Sequence, residues 1–95
     1  MITIMARITA KAGSEDEVRQ VLEHLLAPTR QEVGCVSYEL FHNQDNPIEF
    51  VTVERWREQS AADAHLATEH VAAAIQRVGA LLAAAPLIHR FQPID

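Results

Sequence analysis

Cys35 is the only cysteine in the chain. With no second thiol there is no internal disulfide to staple the fold, and a lone cysteine fits a reducing compartment. The three glycines stand apart from one another, which leaves no glycine-rich loop to cradle a phosphate. Basic residues are few as well. Eight Lys and Arg are scattered against thirteen Asp and Glu, for a formal net charge of -5. Without a basic stripe, nothing neutralises a nucleic-acid backbone. No segment approaches the roughly 20 apolar residues that a membrane-spanning helix needs. The opening MITIMARITA also lacks the basic stretch and apolar run of a secretion signal. The expectation is a cytoplasmic protein that engages neither nucleic acid nor membrane.

What the chain does have is enough apolar material for one core. Hydrophobic residues make up 48% of the 95 positions and charged residues 22%, an ordinary globular composition. Size scaling buries roughly 64% of the unfolded surface for such a chain. Two cores of half this size would each be too small to hold without staples, so residues 1–95 are read as a single domain.

The hydrophobic pattern changes period along the chain. Ile2, Ile4, Ala6 and Ile8 alternate with Thr3, Met5, Arg7 and Thr9, which predicts a strand over Ile2 to Ala10. Lys11-Ala12-Gly13 turns the chain, and Ser14 with Glu17 reads as a capping box. Val18, Val21, Leu22, Leu25 and Leu26 then form a helical stripe, with a kink or weak turn at Pro28 and a left-handed stop at Gly34. Cys35 to Asn43 and Ile48 to Trp56 predict an antiparallel hairpin turned by Gln44-Asp45-Asn46-Pro47. Ser60 with Asp63 opens a second helical region. Thr68 before Glu69 is a candidate internal N-cap, so a short helix, a break near Thr68 and a longer helix to about Ala84 are expected. Pro86 stops that helix, and Leu87 to Pro93 alternates as a last strand.

The order β-α-β-β-α-β with right-handed crossovers is an α+β, ferredoxin-like arrangement: a four-stranded antiparallel sheet with its helices on one face. The other face should then be polar, yet every strand carries apolar residues on both sides, as with Met5 beside Ile4 and Phe41 beside Leu40. Burying about 600 Å² of apolar area per subunit would contribute roughly 15 kcal/mol before the cost of association. A second copy of the chain is the simplest cover, so a homodimer is expected.

Phe50-Val-Thr-Val-Glu54-Arg-Trp56, the helix opening Ser60-Ala-Ala-Asp-Ala-His65, Thr68-Glu-His70 and Gly34-Cys-Val-Ser-Tyr38-Glu-Leu40 together resemble the antibiotic biosynthesis monooxygenase family. The resemblance spans nearly the whole chain and implies a dimeric α/β barrel. It also implies oxidation of a small quinol or polyphenol, an aromatic or quinone-like substrate, without metal or flavin. In such chemistry a deprotonated substrate gives an electron to dioxygen, and the protein supplies a dry pocket, a proton acceptor and a stabiliser for the anion. Trp56 is then expected to wall the pocket and donate its indole N–H, and Tyr38 and Phe50 to line it. His65 and His70 are the candidate bases, since imidazole ordinarily titrates near 6.5. Thr52 stands four residues before Trp56, where polyketide-oxidising members carry Asn. Glu54 is expected to anchor the following helix or a nearby Arg.

Five residues apart on a continuous helix, His65 and His70 would diverge by about 140° and share a pocket only if the chain breaks near Thr68. That spacing, rather than i and i+4, also argues against a metal pair, and no metal site is expected. Heme-degrading members use an Asn early in the first strand; this chain has none there. Two alternatives remain in view. One is an isomerase of a small phosphorylated metabolite, with Arg55, Arg57 and Arg90 as its available cations. The other is a non-catalytic dimer that binds a small molecule.

Overall fold

A computed structural model describes residues 1–95. Four strands, β1 (Ile2–Thr9), β2 (Cys35–His42), β3 (Glu49–Trp56) and β4 (Leu87–Phe91), form one antiparallel sheet in the order β2-β3-β1-β4. This is the ferredoxin-like arrangement, with each strand within one or two residues of its predicted bounds. In the hairpin turn, Asn43 Oδ1 accepts from the backbone N–H groups of Asp45 and Asn46 at 2.8 and 3.1 Å.

The first helical stretch is two helices, α1 (Glu15–His24) and α2 (Leu26–Arg30), that meet at Leu25. The Leu25 N–H reaches back only three residues, to Leu22 O at 3.1 Å, a tightened turn that ends α1. Pro28 thus falls in the first turn of a new helix, where its missing N–H costs nothing. The expected capping box is not made: the Ser14 side chain caps nothing, and the Glu15 carboxylate accepts from Gly13 N–H at 2.8 Å instead. The second stretch begins one residue earlier than expected, as α3 (Gln59–Leu66), and breaks at Thr68 into α4 (Glu69–Val78). A 3₁₀ turn at Gly79–Leu81 replaces the last helical turns predicted toward Ala84.

Strand pairing sets the faces. Ile4, Ala6 and Ile8 sit opposite Glu54, Thr52 and Phe50, and Tyr38 and Leu40 sit opposite Glu54 and Thr52. This is the helix side, where Trp56, Phe50 and Val18 are fully buried. On the opposite side Met5, Phe41, Leu87 and Phe91 remain 38 to 52% exposed. No helix is long and apolar enough to cross a membrane.

Candidate active site

The break at Thr68 is built from one side chain. Thr68 Oγ1 donates to the His65 carbonyl at 2.7 Å, closing α3, and accepts from Val71 N–H at 3.4 Å, opening α4. Without that break the two histidines would point apart; with it their ring centroids lie 6.1 Å apart.

A third residue joins them. Glu32, in the loop after α2, places Oε2 2.7 Å from His65 Nδ1 and 2.7 Å from His70 Nε2. The loop is fixed by Gly34, whose φ of +87° suits glycine and whose missing Cβ leaves room for Ala61 of α3. Arg57 N–H ties the same turn down by donating to Gly34 O at 2.8 Å. The three side chains grade from interior to surface, with His65 6%, Glu32 13% and His70 26% exposed.

His65 also borders a cavity of about 440 Å³ between the sheet and the helices, within the range of small-molecule sites. Small residues make the room: Ala6 and Thr52 are paired across β1 and β3 and both line it. Of its 19 lining residues 14 are hydrophobic, and none is Lys or Arg. The polar groups that reach it are Tyr38, Thr52, Glu54 and His65. The Tyr38 ring centroid is 5.5 Å from that of His65. Burial pushes the Tyr38 phenol well above its ordinary value, and the nearby Glu54 and Glu32 carboxylates push the same way. Burial and the same two carboxylates also raise the half-buried Cys35 thiol, which leaves it a poor nucleophile.

Of the residues named from the sequence, Tyr38, Thr52 and His65 line the cavity, and His70 joins them through Glu32. Trp56 and Phe50 do not line it. Trp56 is fully buried, with its indole N–H donating to Glu54 Oε1 at 3.0 Å, and Phe50 lies in the core with His42 stacked on it at 4.6 Å. Glu54 anchors neither a helix nor an Arg; its other oxygen accepts from Thr52 Oγ1 at 2.7 Å. Glu32 escaped the sequence reading, because a loop acid 33 and 38 residues from its partners carries no local signal.

Residues 1–77 match the sequence profile of the antibiotic biosynthesis monooxygenases. The chain belongs to that family. A Mycobacterium tuberculosis protein named "Putative monooxygenase Rv0793" is 31% identical over 99% of this chain and 92% of its own. Its solved structure superposes with a TM-score of 0.90, covering 99% of this chain and 95% of that one. "Putative monooxygenase YcnE" of Bacillus subtilis is 30% identical over 92% of this chain and 90% of its own. The crystal structure of PA3566 from Pseudomonas aeruginosa is 31% identical, with a TM-score of 0.92, and covers 99% of this chain and 94% of that one. Membership in the antibiotic biosynthesis monooxygenase family supports monooxygenase activity in general.

Proposed function

We propose that this monooxygenase oxidises a small quinol or polyphenol with dioxygen in the cavity between sheet and helices, using its own side chains alone. The observation that carries this reading is the placement of His65, on the wall of an apolar cavity with Nδ1 held by Glu32 at 2.7 Å. If Nδ1–H donates to the carboxylate, Nε2 carries the lone pair and takes the proton of a substrate hydroxyl. Glu32 then stabilises the imidazolium that forms, and His70 on the far side of the same oxygen links it toward solvent. Tyr38, kept protonated by its raised pKa, is an O–H donor for the substrate oxyanion. Thr52 and Glu54 form part of the cavity wall, hydrogen-bonded to each other and backed by Trp56 as a rib of β3.

The deprotonated substrate transfers one electron to dioxygen, and the radical pair joins as a carbon–oxygen bond. Cleavage of the O–O bond leaves one oxygen as a carbonyl and releases the other, with two substrate hydrogens, as water. The substrate supplies all four electrons. A cavity lined by no Lys or Arg favours such a neutral aromatic over a phosphorylated metabolite. The exposed outer face of Met5, Phe41, Leu87 and Phe91 supports a homodimer closed over the sheet, and the single unpaired cysteine fits a cytoplasmic setting.

The test is oxygen uptake by the chelator-treated protein with a panel of quinols. Uptake above autoxidation, lost in His65→Gln at unchanged thermal stability, is expected. No uptake with any quinol overturns the reading.

A further inference from the structure

Glu32, His65 and His70 bring two imidazole nitrogens and a carboxylate oxygen within 4.8 Å of one another. A zinc-class ion holds imidazole nitrogen and carboxylate oxygen at about 2.0–2.2 Å, which sets tetrahedral ligand atoms roughly 3.3 Å apart. Each nitrogen is already 2.7 Å from Oε2 and the three ligand atoms span no more than 4.8 Å. To take up an ion, the carboxylate withdraws by a fraction of an ångström and the two imidazole nitrogens close on each other by up to roughly 1.5 Å. Two imidazoles with one carboxylate form a donor set of intermediate softness that suits zinc, cobalt, nickel or copper better than magnesium or calcium. On an unbroken helix a five-residue spacing would keep the two imidazoles apart, but the break at Thr68 between α3 and α4 brings their ring centroids to 6.1 Å.

We infer that these three residues form a binding site for one divalent transition-metal ion of the zinc class. The ion replaces the two hydrogen bonds to Glu32. Metal ligation needs the lone pairs of His65 Nδ1 and His70 Nε2, so their protons move to His65 Nε2 and His70 Nδ1. Neither of those nitrogens is engaged by a protein group, so the change of tautomer breaks no other hydrogen bond. The ion enters from the side of His70, the most exposed of the three at 26%, and meets loop and helix ends already fixed by Gly34 and Thr68.

Metal ligation leaves His65 with an N–H at Nε2 where a base needs a lone pair. An ion at this site therefore switches off proton abstraction by His65. The site itself stands whether or not the cavity oxidises a quinol.

Calorimetric titration of the chelator-treated full chain with zinc chloride tests the inference without reference to turnover. One zinc per chain is expected, with affinity lowered more than about 100-fold in Glu32→Gln and His70→Gln, beyond the cost of an outer-shell change, and unchanged in His89→Gln. Imidazole nitrogen NMR on the wild type gives a second readout that needs no variant to fold. Zinc should move the resonances of His65 and His70 and leave those of His24, His42 and His89 in place. Absence of binding at millimolar zinc, wild-type affinity in His70→Gln, or resonance changes confined to other histidines overturns the site.

Discussion

Trp56 donates its indole N–H to the carboxylate of Glu54, two residues earlier on the same strand, at 3.0 Å. With Thr52 donating to the other oxygen at 2.7 Å, alternate residues of β3 satisfy an acid that is only 5% exposed. Trp56→Phe keeps an aromatic ring but leaves one buried acceptor without its donor, which costs about 1–3 kcal/mol, with lost packing added. Urea denaturation should show that loss. The KM for a quinol, measured on the folded fraction, should stay near the wild-type value, because the indole does not reach the cavity. A large KM increase at retained stability would instead place Trp56 against substrate.

Gly34 and Ala61 meet where the loop carrying Glu32 crosses α3. A Cβ at Gly34 would stand 2.6 Å from the Ala61 Cβ, on a backbone with φ +87°. Gly34→Ala should therefore cost about 1–3 kcal/mol in backbone strain, with the clash in addition, and should pull Glu32 away from His65. Ala61→Gly alone should cost about 0.5–1 kcal/mol in its helix, yet added to Gly34→Ala it should restore part of the lost stability. Denaturation midpoints of the four chains close the cycle. Strict additivity would show that the two residues do not touch.

The strands were legible because alternation fixes both their extent and their faces, and the turn residues bound them. The Thr68 break was legible too, since a threonine before a glutamate offers a cap inside a helical stripe, and with it came the condition under which His65 and His70 meet. Depth along a strand was not. Phe50, Thr52, Glu54 and Trp56 share one face by period, but which of them border a cavity depends on the volumes opposite. Ala6 leaves space beside Thr52, while the strand's two aromatic ends are sealed into the core. Glu32 was out of reach for a different reason: its role comes from loop closure across 33 residues, which no local pattern encodes.

Tyr38 is the only tyrosine, so phenolate absorbance reports it alone. Burial raises its pKa, as do Glu54 and Glu32. In the native protein its titration should begin well above the ordinary value of about 10, and in denaturant it should return there. The linkage follows in sign. Below about pH 10 both states hold the proton and stability is complete; above it the unfolded chain ionises first, and stability falls as pH rises toward the folded pKa. Melting temperatures across this range should decline for the wild type and decline less for Tyr38→Phe. A native titration at the ordinary value would contradict the buried placement of the ring.

Thr29 is fully buried in α2, and its Oγ1 is the one buried side-chain polar atom with no partner. Its hydroxyl therefore loses water on folding and gains no replacement bond, a penalty of about 1–3 kcal/mol for such a group. Valine has nearly the same shape and similar helix propensity, so Thr29→Val removes the penalty without opening a void. The denaturation midpoint should rise by the equivalent of about 1 kcal/mol, with an unchanged m-value, because the surface exposed on unfolding is the same. A midpoint that falls would mean that the hydroxyl has a partner in solution, such as an enclosed water held between α2 and the sheet.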